Sequence, residues 1–476
     1  MTTAADEAGM TQRPDLGQVA EEVKEVRGRQ LPRYPAYKPS GVQWLDSIPE
    51  HWSVRRLKFI GDVRTSNVDK KSAEDEETVR LCNYIDVYHN EYITADIAFM
   101  TATATPEEIR RFHLHAGDVL ITKDSEEWND IAVPAFVDEP LGGVVCGYHL
   151  AQIRPMPGRM FGEYLFRAFA SRALREQFHV RANGITRFGL SRDAITSAWF
   201  PIPPKEEQAA ITRFLRRETT EIDALIARKR RLIELLKEKR TALISHAVTK
   251  GLNPKAPMKP SGIDWLGDVP AHWEFRKLGF MTKMRGGATP SKNNEAYWTG
   301  SIPWVSPKDM KVREILDSED HLSQMALDET TLTLFDPPIV LMVVRGMILV
   351  HTFPVGITRV PVTINQDMKA LAPDNGCLHE YLLNLLDGIS HIVLGIVEES
   401  AHGTKVLRTN LWKHLGVFLP GEDEQAVICR HISELNTYFD GLVGKTEHAI
   451  DRLSEYRSAL ISAAVTGKID VRQEVA

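Results

Sequence analysis

The chain has 476 residues, of which 43% are hydrophobic and 26% are charged, and its formal net charge is −6. This length is too great for one hydrophobic core and predicts about two to four domains. The composition excludes a collagen-like, low-complexity or wholly disordered chain. The slightly acidic balance argues against a protein that is coated evenly in nucleic acid.

The sequence offers no signal for a membrane span, a secretion leader or a metal site. No apolar run approaches the ~20 residues that cross a bilayer, and the first ten residues are polar and acidic. The four cysteines are far apart and form no C-x-x-C pair, so a zinc or redox site has no basis: Cys82, Cys146, Cys377 and Cys429. We expect a cytoplasmic protein with reduced thiols and without a metal.

A short block of sequence occurs twice. After a polar extension over residues 1–36, with a short helix predicted near 15–28, the run KPSGVQWLDSIPEHWSVRRLKF begins at Lys38. It recurs 221 residues later as KPSGIDWLGDVPAHWEFRKLGF, which places Trp52 on Trp273. A match of this length predicts an internal repeat.

Each short block is followed by a region of about 140 residues that shares little sequence with the other. The runs GDVLITKD, GGVVCGYHLAQIRPM and PPIVLMVVRGMILV are rich in β-formers between Gly, Pro or Asp and predict strands. The runs EYLFRAFASRALREQF and HEYLLNLLDGISHIVLGIV have helical apolar spacing. Both regions are therefore predicted to be mixed α/β.

A longer block follows each variable region. PIPPKEEQAAITRFL, continuing to KEKRTALISHAVTKG, recurs 217 residues later as FLPGEDEQAVICRHI, continuing to SEYRSALISAAVTGK. Seam positions spaced by four and three predict a long helix in each block: Ile222, Ile226, Lys229, Ile233, Leu236, Arg240 and Leu243, and Phe439, Val443, Thr446, Ile450, Leu453, Arg457 and Leu460.

Charge favours pairing of the two helices with each other. Residues 205–245 carry 11 Lys/Arg and 7 Asp/Glu, whereas residues 421–462 carry 4 and 8. Opposite charge beside an apolar seam favours an intramolecular antiparallel coiled coil over self-association. The alternative, in which each helix packs only on its own domain, stays open.

The predicted fold is α/β, with two mixed α/β domains, two long helices between and after them, and a pseudo-twofold repeat. The predicted divisions are an N-terminal extension, a first domain, a first helical segment, a second domain and a second helical segment: 1–36, 37–203, 204–257, 258–420 and 421–476.

Three runs imitate catalytic motifs. FDPPIV, from Phe335, has Ile339 where an adenine methyltransferase loop needs an aromatic residue, and a Pro-Pro turn before a strand explains it better. GLVGKT, from Gly441, lacks the first glycine of a phosphate-binding loop and aligns with the middle of the other helix. Pro14-Asp15 with Glu22-Val23-Lys24 imitates a nuclease site, but it lies in the polar extension, away from any rigid support.

The repeated KPSG..WL...P.HW block, the P..EQ..I and ALI..AVTGK-like helix ends, and GGATPSKNNEAYWTGSIPWVSPKDMK together resemble the specificity subunits of type I restriction-modification systems. The resemblance extends from about residue 37 to the C-terminus. The first domain departs from the pattern, since GDVRTSNVDKKSAEDEETVRLCNYIDVY stands where the second domain has GGATPS…PWVSPKDMK. The two domains are therefore expected to recognise different half-sites.

The resemblance implies a subunit that binds double-stranded DNA and has no catalytic activity of its own. It implies two modification subunits, which carry S-adenosylmethionine and methylate adenine, and two restriction subunits, which use ATP and Mg. No cofactor is expected in this chain. The alternatives are a stand-alone adenine methyltransferase and a coiled-coil scaffold that does not bind DNA.

Base contacts need side chains that reach groove edges, and register needs cations near phosphates. Residues 154–192 contain eight arginines, which predict a basic surface, and NGITRFGLSR adds glycines that allow close approach. A solvated helix face is the alternative. The DNA-binding candidates are Lys123, Asp124, Ser125, Trp128, Arg172, Arg175, Arg181, Asn183, Thr186, Arg187, Thr289, Ser291, Lys292, Ser306, Lys308, Lys311, Arg345, Asn365, Gln366, Lys369, Thr404 and Lys405.

The repeated blocks supply candidates for partner binding: Trp52, Trp273, Gln208, Gln425, Arg240 and Arg457. For the Pro-x-His-Trp motif, a structural role at the start of each domain is the favoured interpretation. The helices are expected to act as a ruler: about 30 residues at ~1.5 Å each give roughly 45 Å, or about 13 base pairs. The expected target has two half-sites and an unread spacer.

Overall fold

The computed structural model describes residues 31–400 and 402–474. They belong to two compact units: unit 1 contains the residues up to Lys229 and those from His448 onward, and unit 2 contains Arg230–Glu447. The short helix predicted near 15–28 and the nuclease-like Pro14-Asp15 motif lie outside the described residues. The unit boundaries do not coincide with the domain divisions predicted from the sequence, because they fall inside the two long helices.

Unit 1 contains fourteen strands among its described residues. They are β1 Tyr37–Pro39, β2 Ser47–Pro49, β3 Ser53–Arg56, β4 Gly61–Thr65, β5 Glu77–Cys82, β6 Tyr92–Ile93, β7 Met100–Ala104, β8 Val119–Thr122, β9 Asp124–Ser125, β10 Pro134–Val137, β11 Val144–Cys146, β12 Leu150–Pro155, β13 Phe188–Gly189 and β14 Trp199–Ile202. Its short helices are Tyr84–His89, Pro106–Phe112, Gly162–Ala170, Arg172–His179 and Arg192–Thr196, with 3-10 turns at Leu57–Phe59 and Trp128–Asp130.

The central sheet of unit 1 has the order β4-β12-β8-β10-β6. Its pairs are antiparallel except β10–β6, which is parallel. A second sheet has three strands in the order β11-β5-β7, and these strands alternate along the chain with those of the central sheet. Strand β3 pairs with β14 and so joins the beginning of the region to its end. The apolar side chains of β8 and β12 enter two buried clusters, one of which includes residues of both long helices. Unit 1 is therefore a mixed α/β body with helix segments in its core.

Unit 2 also contains fourteen strands among its described residues. They are β15 Met258–Pro260, β16 Asp268–Pro270, β17 Glu274–Lys277, β18 Thr282–Gly286, β19 Ile302–Val305, β20 Glu314–Ile315, β21 His321–Leu322, β22 Val340–Val343, β23 Val355–Thr358, β24 Thr363–Ile364, β25 Met368–Pro373, β26 Val397–Glu399, β27 Lys405–Leu407 and β28 Gly416–Leu419. Its short helices are Leu278–Met281, Gln324–Glu329, His379–Gly388, Ser390–Leu394 and Thr409–His414, with 3-10 turns at Glu295–Trp298 and Met347–Val350.

The central sheet of unit 2 has the order β18-β25-β22-β23-β20. Only β20–β23 is parallel in this sheet, at the same position as β6–β10 in unit 1. The three-stranded sheet β21-β19-β24 and the pair β17–β28 also have counterparts in unit 1. The two units thus have the same strand order and directions although their variable sequences differ.

The two long helices extend over Lys205–Lys250 and Glu422–Val465. In unit 1, Ile222 and Ile226 share a buried cluster with Tyr456 and Leu460. In unit 2, Ile244, Ala247 and Val248 share one with Ile428 and Ile432, at the opposite ends of the same two helices. The predicted seam is shifted at one position, because Leu243 is 37% exposed and its neighbour Ile244 is buried.

Three predicted elements are shorter than the sequence pattern suggests. EYLFRAFASRALREQF is two helices rather than one, because Ser171 adopts an extended backbone between them. PPIVLMVVRGMILV contains one short strand, β22, and Gly346 at φ +137° then starts a 3-10 turn. HEYLLNLLDGISHIVLGIV is likewise two helices, followed by strand β26. Periodicity alone did not detect these local changes of backbone direction.

Candidate nucleic-acid interface

The repeated Pro-x-His-Trp motif lies against the first turn of a long helix. In unit 1, Glu207 accepts hydrogen bonds from Trp52 Nε1 at 2.8 Å and Tyr34 Oη at 3.2 Å, and its other oxygen lies 2.6 Å from His51 Nε2. Burial and the nearby Glu207 carboxylate raise the pKa of Tyr34, so its hydroxyl stays protonated and acts as the hydrogen-bond donor. One carboxylate at a helix N-terminus therefore ties the beginning of the region to the helix.

Unit 2 has the same arrangement with fewer partners. Glu424 lies 2.7 Å from His272 Nε2 and accepts a hydrogen bond from Trp273 Nε1 at 3.1 Å. Because Trp52 is completely buried and Trp273 is 1% exposed, neither side chain offers a surface to a partner. This corrects their assignment as partner-binding residues and supports the structural interpretation.

The two repeated glutamines are also internal. Gln208 accepts a hydrogen bond from Phe161 N and donates to Pro203 O, while Gln425 accepts from Leu378 N and donates to Pro420 O. Both side chains are buried. A buried amide with satisfied partners positions backbone and does not dock a protein, so this assignment is corrected as well.

The two repeated arginines form salt bridges within their own units. Arg240 donates to Asp440 at 2.7 Å in unit 2, and Arg457 donates to Asp223 at 2.9 and 3.0 Å in unit 1. Arg457 also lies 2.7 Å from Glu91; burial opposes its charge, but the two carboxylates raise its pKa. Both guanidinium groups are thus already occupied by carboxylates.

In unit 1, charged residues collect where strand β8 ends. Asp124 Oδ2 accepts a hydrogen bond from Lys123 Nζ at 2.7 Å and lies 3.0 Å from His149 Nδ1, and Arg187 Nη2 lies 3.4 Å from His149 Nε2. Buried Ser125 lies 3.4 Å from the Tyr84 hydroxyl. Sequence candidates about 60 residues apart are therefore brought together at one end of the central sheet.

A hairpin carries the candidates Asn183, Thr186 and Arg187 of unit 1. Asn183 and Gly189 exchange backbone hydrogen bonds of 3.1 and 2.9 Å, and β13 pairs with β9 beside Asp124. Asn183, Thr186 and Arg187 are exposed along this turn, and Arg181, just before it, donates to Ser197 Oγ. Trp128 is 52% exposed, and its ring packs edge-on against His179. The hairpin thus presents polar side chains beside the cluster at Asp124.

The eight arginines of residues 154–192 do not form one basic surface. Arg154 is bound by Asp118 at 2.8 Å, and Arg167 is buried beside Tyr92. Burial lowers the pKa of Arg175, which is largely enclosed. The predicted basic surface therefore excludes these three residues, and its exposed members are Arg159, Arg172, Arg187 and Arg192. Arginine count alone could not separate structural from accessible guanidinium groups.

In unit 2, a corresponding group lies where β22 ends. Arg345 is exposed, and its backbone nitrogen donates to Asp367 O at 3.2 Å. Lys369 pairs with Gly286 across the β18–β25 ladder, and Thr289 donates to Gln366. The backbone of Gly346 donates to Lys405 O, which brings the 402–405 segment with Thr404 to the same place. Asn365 is buried, and its amide oxygen accepts from Asp367 N, so its role is to shape the loop.

The remaining candidates of unit 2 lie around the three-stranded sheet. Ser306 is buried and donates to Asp309 at 2.8 Å, so its hydroxyl is committed to the loop. Lys308 is bound by both Asp320 and Glu319, and these contacts raise its pKa. Ser291, Lys292 and Lys311 are exposed. Val305, just before Ser306, accepts a backbone hydrogen bond from Asn365 N at 3.0 Å, so this sheet adjoins the loop that carries Asn365 and Gln366.

Sequence reasoning missed an aromatic cluster in unit 1. The rings of Tyr84 and Tyr88 stack at 5.4 Å, and Tyr148 lies under Lys123 Nζ at 5.0 Å. Tyr84, Tyr148 and His149 line a cavity of about 150 Å³. The tyrosines of NYIDVY and GYHL were visible, but only strand pairing brings the two runs together.

The two runs in the described residues that imitate catalytic motifs, FDPPIV and GLVGKT, do not form catalytic geometry. Gly441–Thr446 lies inside the second long helix, and a phosphate-binding loop cannot form from helical backbone. Ile339 is buried immediately before β22, and Phe335 pairs with Val362 through backbone hydrogen bonds. Across residues 31–400 and 402–474, no three His, Cys, Asp or Glu residues are placed to hold a metal ion, and no helix could span a membrane.

A model of the type I restriction modification DNA specificity domain matches residues 49–235 and 270–450. These two ranges together cover more than half of the chain. The chain belongs to this specificity family. The matched ranges contain the central five-stranded sheet of each unit and parts of both long helices.

Known members of the specificity family resemble the chain over different lengths. The EcoR124I/EcoR124II specificity subunit of Escherichia coli is 31% identical over 185 residues, which cover 39% of this chain and 45% of that protein. The chain thus matches less than half the length of this relative. The MjaX specificity subunit, so described only provisionally, of Methanocaldococcus jannaschii is 22% identical over 90% of this chain and 96% of its own.

A solved structure from work on complex assembly and conformational transition of the type I R-M system has the same fold. It is 17% identical, and the match covers 88% of this chain and 98% of that chain with a TM-score of 0.60. At this identity the likeness establishes the fold only.

Proposed function

We propose that the chain is the DNA-binding subunit of a type I restriction-modification complex, and that it recognises a target of two different half-sites. The observation that carries this proposal is the pair of polar clusters at corresponding sheet ends, around Lys123 and Arg187 in unit 1 and around Arg345 and Lys369 in unit 2. Each combines cations that can bind phosphate with amide, hydroxyl or carboxylate groups that can distinguish bases.

We further propose that the long helices pair as an antiparallel coiled coil in a pseudo-twofold repeat. Asp223 and Arg240 of the first helix correspond to Asp440 and Arg457 of the second, since each pair is 217 residues apart. The observed salt bridges are Asp223–Arg457 and Arg240–Asp440. Two helices exchange equivalent partners in this way when they are related by a twofold axis.

In this proposal the chain supplies recognition, and its partners supply the chemistry. Two modification subunits carry S-adenosylmethionine and methylate one adenine in each half-site, and two restriction subunits use ATP and Mg. The buried repeat residues make their contacts inside their own unit, so we expect the partner subunits to bind to exposed residues. Neither a stand-alone methyltransferase nor a scaffold explains two like sheets whose polar ends differ in sequence.

The test is sequencing of methylated adenines in strains with and without the gene, together with DNA binding and methylation by the purified complex. We expect a two-part motif that disappears with the gene, and methylation only when the modification subunits are present. Methyl transfer by this chain alone would favour the methyltransferase alternative. A purified, assembled complex that binds no duplex would favour the scaffold.

A further inference from the structure

The hairpin of unit 1 presents an apolar side chain to solvent at its tip. Ile185 is 96% exposed, between the paired residues Asn183 and Gly189. A single exposed apolar side chain is common on protein surfaces. Its surroundings are less common, because Thr186 and Arg187 follow it directly and Arg187 lies beside His149.

The tip has a defined backbone shape. Gly184 adopts φ +149°, and a Cβ atom there would lie 1.8 Å from the Arg187 carbonyl oxygen. Only glycine fits this turn without moving the backbone. Strand β13 anchors the other side by pairing Phe188 with Ser125. Ile185 is therefore held on a braced hairpin beside the polar cluster.

Unit 2 has a different residue at the corresponding place. The turn between β26 and β27 contains exposed His402, which is 217 residues after Ile185, the same interval that separates the repeated helices. Leu190 N and Leu407 N donate to Lys123 O and Val344 O, both at 2.8 Å, so the two hairpins return to equivalent strands. One hairpin thus presents an aliphatic tip and the other an imidazole.

We propose that Ile185 contacts the C5-methyl group of a thymine in the half-site recognised by unit 1. This inference rests on the DNA-binding function proposed above. The thymine methyl is the apolar feature of the major-groove edge, and cytosine and the purines lack it there. Exposed Arg187 binds the surrounding acceptors or phosphates, and Ile185 adds shape and apolar contact. The braced backbone limits the ordering cost of this contact.

The test measures binding of the assembled complex to duplexes in which each thymine of the half-site is replaced, one at a time, by deoxyuridine. This replacement removes only the methyl group. We expect one position at which the wild-type complex binds deoxyuridine about fourfold more weakly than thymine, the value for one buried methyl. With Ile185→Ala the two duplexes should bind equally, and Ile185→Val should keep part of the difference.

Val180→Ala is the matched control, because Val180 is 79% exposed but lies before the hairpin. It should keep the full discrimination between thymine and deoxyuridine. The inference is overturned if no position is sensitive to deoxyuridine, if Ile185→Ala keeps the sensitivity, or if the half-site contains no A·T pair. In each of these outcomes, specific binding by the wild-type complex still upholds the proposed function. Absence of all specific binding would overturn both.

Discussion

Units 1 and 2 have the same sheet order, the same parallel pair at the sheet edge and the same Trp–Glu contact at the beginning of a long helix. They differ where their central strands end. Unit 1 places Lys123, Asp124 and His149 there, whereas unit 2 places Arg345 and Lys369. The scaffold is thus repeated while the exposed side chains are not, as expected if each unit recognises different bases.

A second difference concerns the residue that precedes the parallel edge strand of each central sheet. In unit 1, Glu91 precedes the edge strand β6 and lies 3.5 Å from Arg167 and 2.7 Å from Arg457. In unit 2, Arg313 precedes the equivalent strand β20 and contacts Asn384 and Asp387. The acidic and basic positions are exchanged, and in unit 1 Arg457 of a long helix also takes part in this contact. We therefore expect the two units to respond differently to matched substitutions.

The largest expected effect comes from lengthening both helices. We expect insertion of seven residues after Ala227, with a matching insertion after the equivalent Gly444, to keep the apolar seam in phase. The insertion adds ~10 Å of helix, or about three base pairs at ~3.4 Å each. Sequencing of methylated adenines should show unchanged half-sites and a spacer about two to three pairs longer.

A single-sided insertion is the control, because it should bulge and reduce activity. An active enzyme with both insertions and the original spacer would show that the helices do not set the spacing. Altered half-site bases would show instead that the helices take part in base recognition.

The Trp–Glu contacts should differ in energy between units. Glu207→Ala leaves Trp52 Nε1 and Tyr34 Oη without their buried acceptor, which should lower the free energy of unfolding by about 3 kcal/mol. Glu424 is 32% exposed, so Glu424→Ala should cost only about 1 kcal/mol. Urea unfolding of the full chain, followed by tryptophan fluorescence, compares them. Equal losses of unfolding free energy in the two variants would contradict the expectation that the more buried contact contributes more.

Arginine substitutions sharpen the same comparison with smaller effects. Arg457→Ala removes contacts to Asp223 and Glu91 at a site where the arginine is 17% exposed, and should cost about 2 kcal/mol. Arg240→Ala removes one contact to Asp440, itself 67% exposed, and should cost at most ~0.5 kcal/mol. Urea midpoints of the two variants test this order. An Arg240 variant that is less stable than the Arg457 variant would contradict it.

The sequence predicted the repeated helices and the two mixed α/β regions because both features leave periodic or matching patterns. It could not predict that Ser171 divides a helix or that Gly346 ends an extended run, since these depend on local backbone angles. The same limit applies to the candidate site. The sequence named Lys123 and Arg187, but their closeness depends on pairing of β9 with β13.

Arginine-rich sequence was the least informative signal. Arg154 and Arg167 are bound by partners that lie 36 and 75 residues away in the chain, so no local pattern could show that they are occupied. The role of Trp52 was predictable in outline because the motif recurs. Its acceptor, Glu207, becomes evident only when the helix N-terminus and the motif are brought together.

The central claim is that each unit recognises its own half-site. Its most direct test is sequencing of methylated adenines in strains that carry Arg187→Ala or Arg345→Ala, both at exposed positions. We expect each variant to relax or weaken recognition in one half-site and to leave the other unchanged, with the two variants affecting opposite halves. Relaxation of both halves by either variant, or of the same half by both, would contradict the account.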